Sequence, residues 1–252
     1  MYHWECLRAK KSGILTYHSL DDSGSKVSIS RAAFRRHLEI LSYGNFKVLP
    51  LSSLPGNPGS VAITFDDGYR NFLNVALPLL NEYRMPATVF VVSGYCGRYN
   101  DWYSRLANGP RLKLMDWTEL QEISQAGVAI GSHTVTHANL TALPEQQAAQ
   151  ELRDSKSAIE DRIGRPVDTF AYPYGATSPA VCGIAGQVFR LACGVGPRFV
   201  SPVSDPMDLP RIDAGYVRNR FFMSILHTAM GTAYVDAQRG LSGVKAALRK
   251  LS

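Results

Sequence analysis

Apolar residues along the chain fall into two alternating patterns. The short runs Ile14-Leu15-Thr16-Tyr17, Val61-Ala62-Ile63-Thr64-Phe65, Ala87-Thr88-Val89-Phe90-Val91-Val92, Val128-Ala129-Ile130 and Thr169-Phe170-Ala171-Tyr172 are rich in β-branched and aromatic residues and bounded by Gly or Pro. Continuous rather than alternating hydrophobicity of this kind marks strands buried on both faces, as in a parallel sheet. Ala192-Cys193-Gly194-Val195 repeats the pattern more weakly.

Between these runs apolar residues recur at helical spacing. Ser30 caps a predicted helix with Phe34, Leu38 and Leu41 on one face and Gly44 at its end, which leaves His37 on the polar side. Residues 71–83 carry Phe72, Val75, Leu79 and Leu80, with Pro78 as a kink. Thr118-Glu119-Leu120-Gln121 reads as a capping box, preceded by Trp117 as a hydrophobic staple, for a helix that Gly127 ends. Residues 144–163 repeat Ala148, Leu152, Ile159 and Ile163 before Gly164. Phe221, Phe222, Ile225, Leu226, Ala229 and Met230 predict one further helix.

Strands alternating with helices, without linker or repeat, predict one α/β domain over residues 1–252, with a core at 13–215 and a helical tail at 218–252. Periodicity leaves a barrel and an open doubly wound sheet both standing; in either, ligands gather at the carboxyl ends of the strands. The composition, 45% hydrophobic and 19% charged over 252 residues, excludes a disordered or fibrous chain. No apolar stretch approaches the ~20 residues of a membrane span, and the first residues lack a signal-type apolar core, so a cytoplasmic protein is expected. Contact with the inner membrane at its periphery is compatible with this. A net charge of +6 suits an anionic partner, but the basic residues are scattered and nucleic acid is not expected. The four cysteines, Cys6, Cys96, Cys182 and Cys193, lie far apart and read as reduced thiols.

Three strand ends carry chemistry. Val61 to Phe65 runs into Asp66-Asp67-Gly68. Two adjacent carboxylates leaving a buried strand repel and lose hydration, which a divalent cation compensates; a simple turn accounts for one carboxylate and Gly68 only. Val128-Ala129-Ile130 leads through Gly131-Ser132 to His133-Thr134-Val135-Thr136-His137, two imidazoles able to converge on one ion if the backbone turns sharply. One carboxylate and two imidazoles leave coordination positions open, as a catalytic metal needs. In Phe170-Ala171-Tyr172-Pro173-Tyr174-Gly175 the Pro and Gly force a turn that can aim a main-chain N–H into a site; an aromatic rim loop is the alternative.

These segments, in this order, resemble the first three motifs of the polysaccharide deacetylases, carbohydrate esterase family 4, over residues 13–211. The resemblance implies a distorted (β/α) barrel of seven or eight strands and a metal-dependent hydrolase that removes acetyl groups from N-acetylated sugars. It implies Asp67, His133 and His137 as ligands of zinc or another divalent transition metal, Asp66 as general base, and the N–H of Tyr174 as oxyanion donor. The chain departs from the family pattern at Ala171, where an Arg usually orients the base; Arg211 is the candidate to do so from a later strand. The usual general acid is a late His, which would be His227, but His227 falls within a helical pattern. His18, after Ile14-Leu15-Thr16-Tyr17, matches a subgroup with an early Tyr-His element and is the expected acid. Tyr172, Pro173 and Trp102 are the candidate sugar contacts, Trp102 lying with Asp101 in a long polar loop at 94–114. His3 is expected in solvent.

The expected substrate is an N-acetylhexosamine of a bacterial glycan or of its lipid- or nucleotide-linked precursor, with no obligate protein partner. A deformylase or other amidase on a sugar carrier, and a carbohydrate-binding pseudoenzyme on the same barrel, are the alternatives. A pure binding module has no use for Asp66, Asp67, His133 and His137 together.

Overall fold

The computed structural model describes residues 11–25, 27–44, 46–102, 110–226 and 228–251. His3, Cys6 and His227 lie outside the described residues. Strands β1 (Gly13–Tyr17), β2 (Ser19–Leu20), β3 (Ser28–Ile29), β4 (Lys47–Val48), β5 (Ser60–Phe65), β6 (Thr88–Val91), β7 (Ala129–Ser132), β8 (Thr169–Ala171), β9 (Leu191–Cys193) and β10 (Ile212–Asp213) alternate with helices. The helices are α1 (Arg31–Tyr43), α2 (Leu77–Tyr83), α3 (Trp117–Gln125), α4 (Glu145–Ile163), α5 (Pro179–Gly186), α6 (Arg220–Ser224) and α7 (Ala229–Leu251). An eight-stranded parallel sheet runs β10-β1-β5-β6-β7-β8-β9, with β4 on β5, and the small pair β2-β3 stands apart.

The sheet curls into a distorted barrel. Leu209 bridges Cys193 of β9, and three residues later Ile212 pairs with Leu15 of β1, so one short stretch joins the two edges of the sheet. Side chains alternate across it. Leu15, Tyr17, Val61, Ile63, Phe65, Val89 and Val91 face the helix layer. Ile14, Ala62, Phe90, Ala171 and Cys193 face the interior, where Leu51, Leu54 and Val200 fill the amino end. Both faces are therefore dry, which is why the strands read as unbroken apolar runs. Among the described residues no helix is long and apolar enough to cross a membrane, and Cys96, Cys182 and Cys193 are free thiols.

Several local expectations are corrected. Helix α3 begins two residues before the expected Thr118 box: Asp116 accepts from Glu119 N–H at 2.9 Å and Glu119 accepts from Asp116 N–H at 3.0 Å. The irregularity ahead of Pro78 is a π turn, Phe72–Ala76, leading into α2. The predicted C-terminal helix is two helices, because Thr228 Oγ1 accepts from Gly231 N–H at 3.1 Å and opens α7 afresh. His37 is 1% exposed rather than solvated. Its Nε2 donates to the Val217 carbonyl at 2.9 Å, and its Nδ1 accepts from the Tyr17 hydroxyl at 3.0 Å. A carbonyl can only accept, which fixes this tautomer. The loop at 94–114 has paired arms: Tyr99 bridges Lys113, and Asp101 takes Arg111 at 2.8 Å, while Tyr103 and the rest of 103–109 lie outside the described residues.

Candidate active site

Register sets the site. Tyr17 is level with Phe65, Val91 with Ser132, Ser132 with Phe170, and Ala171 with Cys193. The ladder runs one rung further, through Asp66 N–H to Tyr17 O at 2.9 Å and His133 N–H to Val91 O at 2.9 Å. His18 and Asp66 leave β1 and β5 at one level, and because Phe65 pairs with Val89 and Val91 with Ser132, His133 leaves β7 two residues further along; Tyr172 follows β8 beyond that, all at the carboxyl ends of the strands. They border a cavity of about 490 Å³ with Asp67, His137, Tyr174, Val195, Arg211 and Asp213.

Backbone conformation then turns side chains inward. Continued alternation would send Asp66 inside and Asp67 out to the helices, but Asp67 has φ 71° and Gly68 φ 75°, which returns the Asp67 carboxylate to the cavity. Thr134 (φ 68°), His137 (φ 58°) and Tyr174 (φ 58°) are left-handed as well. Five described non-glycine residues have positive φ, and four of them lie in these three turns; the fifth, Arg84, caps α2. Such conformations persist only where surrounding bonds over-determine them, and they collect at functional sites.

Asp67 is 2% exposed, with neither carboxylate oxygen in a hydrogen bond. Its Oδ1 lies 3.2 Å from His137 Nε2 and 3.5 Å from His133 Nε2. His133 donates Nδ1–H to the Ala171 carbonyl at 2.6 Å, so in the neutral ring Nε2 presents a lone pair toward Asp67. A lone pair facing a buried carboxylate oxygen is unfavourable unless a proton or a cation lies between. One ligand atom from each of the three residues falls within 4.8 Å of the others, the donor set and spacing that suit a divalent cation such as zinc. Burial pushes the His137 pKa down, toward the neutral form a metal requires, against the opposing pull of Asp67. Burial would raise Asp67, but contact with His133 and His137 holds it well below the usual carboxylate range.

Asp66 sits in the fork of Arg211, with Nη1 to Oδ1 at 2.7 Å and Nη2 to Oδ2 at 2.8 Å. Arg211 is 3% exposed, and its Nε–H binds the Gly194 carbonyl at 2.9 Å. Burial favours protonation of Asp66, and Arg211 with His133 and His18 outweighs it, so the carboxyl stays ionised. His18 stands between two carboxylates, Nε2 3.8 Å from Asp66 and Nδ1 3.8 Å from Asp213. Asp213 escaped the sequence reading. The available signal was alternation, since two residues after an inward Arg211 the next inward position on β10 is Asp213.

Of the three expected sugar contacts, Tyr172 lines the cavity, while Pro173 and Trp102 are not among its lining residues. Tyr172 is 1% exposed, its hydroxyl donating to the Met207 carbonyl at 2.8 Å, so its ring is wall rather than platform. Pro173 is buried within the turn. Trp102 stacks on His137 with centroids 4.6 Å apart and planes 13° apart, which occupies one indole face; Tyr95 meets the indole edge-on at 4.9 Å. Exposed apolar surface at the mouth comes instead from Tyr174 and Val195.

The family model described as polysaccharide deacetylase matches residues 54–188. YxkH of Bacillus subtilis, which carries that family's name, is 28% identical over 173 residues, 66% of this chain and 57% of YxkH, so the match spans little more than half of that relative. A poly-β-1,6-N-acetyl-D-glucosamine N-deacetylase of Staphylococcus aureus is 25% identical over 220 residues, 81% of this chain and 75% of that one. IcaB from Ammonifex degensii has a similar fold, with a TM-score of 0.71 at 23% identity over 85% of this chain and 97% of that one. The Streptococcus pyogenes deacetylase PplD does too, with a TM-score of 0.68 at 22% identity over 81% and 92%.

Proposed function

The chain belongs to the polysaccharide deacetylase family, whose members are hydrolases of N-acetyl amides, and from that premise we propose that it is a metal-dependent N-deacetylase of N-acetylhexosamine units. The observation that carries the reading is the pairing of two buried carboxylates with opposite surroundings. Asp66 is saturated by a guanidinium, whereas the adjacent Asp67 faces two imidazoles with no hydrogen bond of its own.

In this reading Asp67, His133 and His137 hold the cation. A bound divalent cation supplies Lewis-acid polarisation of the amide carbonyl and makes water more acidic. Asp66 takes the proton from the attacking water, and Arg211 fixes its orientation and keeps it ionised beforehand. His18 donates a proton to the departing amine, with Asp213 on its far nitrogen to hold the ring. The Tyr174 N–H stabilises the negative charge that develops on the carbonyl oxygen.

The substrate follows by analogy with the Staphylococcus aureus relative: a polymer or oligomer of N-acetylglucosamine, or its lipid- or nucleotide-linked precursor. The net charge of +6 supports an anionic carrier, and faster turnover of a phosphorylated than of a neutral acceptor tests that part. The decisive experiment measures bound metal together with amine release from acetylated β-1,6- and β-1,4-linked glucosamine oligomers. His133→Ala is expected to lose metal and activity together; activity that survives without metal overturns the mechanism.

A further inference from the structure

The turn that carries both imidazoles is costly to form, since Thr134 is β-branched and left-handed and His137 is left-handed as well. Its backbone is clamped from two sides. On one side, Ser93 N–H and Gly94 N–H donate to the carbonyls of Thr134 and Val135 at 3.1 and 3.0 Å. On the other, Glu151 of α4 accepts Val135 N–H at 2.8 Å and Thr136 N–H at 3.0 Å on Oε2, and the Thr136 hydroxyl at 2.7 Å on Oε1. One carboxylate thus satisfies two main-chain donors and one of the two hydroxyls between the imidazoles of the His-x-x-x-His turn. Charge-assisted bonds of this kind are roughly twice as strong as neutral ones.

We infer that Glu151 is a positioning residue for the metal site: it holds the 133–137 turn in its left-handed form and so sets the separation of the two imidazoles. The inference rests on the metal reading above. Glu151 touches no proposed ligand side chain and does not border the cavity; it acts through the main chain. Helix α4 brings it there because Ala148, Leu152, Ser155 and Ile159 form its buried stripe, and Glu151 flanks that stripe facing the turn.

The test is the zinc affinity of the 252-residue chain, stripped of metal and titrated against a chromophoric chelator, together with melting of the metal-free and zinc-loaded forms. Glu151→Ala is expected to weaken zinc about tenfold to a hundredfold, the usual effect of losing an outer support of a metal site. Glu151→Gln keeps the shape and one carbonyl oxygen, and is expected to lose about threefold to tenfold. Ile159→Val, two turns along α4, is expected to lower melting of the metal-free protein while leaving zinc affinity unchanged, which separates positioning from helix packing. Zinc affinities of both Glu151 variants within twofold of wild type overturn the inference, and if the alanine variant does not fold the glutamine variant alone decides. A wild-type chain that takes up no zinc overturns the metal reading itself, and this inference with it.

Discussion

At the amino end of the barrel, Leu51, Leu54 and Val200 share an apolar cluster with Ile14 and Ala62. At the carboxyl end the same barrel buries Asp66, Asp67, His133, His137 and Arg211. The first set gains stability from every apolar contact. The second carries desolvated charge and four strained residues, each costing on the order of 1 kcal/mol or more. Ends so unlike on one sheet show where the fold is held and where its surplus stability is spent: the apolar end supports a rim whose chemistry opposes folding.

That division can be broken most sharply at Asp66. Asp66→Asn keeps the size and one acceptor oxygen but removes the proton acceptor, and amine release is expected to fall by about 10²- to 10⁴-fold. An unchanged rate would remove catalysis from the carboxyl end as it is drawn here. Arg211 belongs to both categories, since it lies inside the barrel and binds the rim carboxylate. Arg211→Met leaves the Asp66 charge buried and uncompensated, and denaturant unfolding should register a loss of about 3–5 kcal/mol alongside a lower kcat. A loss below about 1 kcal/mol would show that the pair serves orientation only.

Leu54→Ala probes the opposite end. It should cost about 2–5 kcal/mol of unfolding free energy with kcat unchanged at temperatures where the variant is folded. A parallel fall in kcat would mean the two ends are not separable.

His37 offers a finer contrast, an imidazole buried in the helix layer away from the cavity. Burial lowers its pKa from 6.5 to about 4, so between those values the unfolded chain binds the extra proton and the folded one does not. Stability contributed by the neutral ring is complete above pH 6.5 and is lost as the pH falls toward 4, up to about 3 kcal/mol. Urea unfolding of the metal-free protein at pH 7 and pH 4.5, wild type against His37→Gln, measures it. Equal pH slopes for the two proteins would assign the acid sensitivity to the rim instead.

Much of this was legible in the sequence. Dry strands on both faces leave unbroken apolar runs, and β1, β5, β6, β7 and β8 all fall on such runs. Motif order identified the family, because Asp66-Asp67, His133-His137 and the Tyr172–Gly175 turn each follow a strand and chain order survives folding. Local signals failed where two readings share one pattern: Asp116 and Thr118 both cap helices, and an apolar stripe through 221–230 fits one helix or two. His37 was misplaced because a helical wheel puts it at the border of the buried stripe, and its distant partners, Tyr17 and Val217, the latter 180 residues away, decide which side it takes.

The sequence by itself determined which residue types stand at the strand ends, since each strand and the turn after it are local. Only the tertiary structure decided their partners. Arg211 meets Asp66 across 145 residues because β10 and β5 flank β1, and Glu151 reaches the imidazole turn because α4 packs beside β7. The left-handed turns at Asp67, Thr134, His137 and Tyr174 belong to the same class. Left-handed backbone is uncommon in residues with side chains, Asp and His adopting it more readily than Thr and Tyr, and here long-range bonds and packing hold it in place.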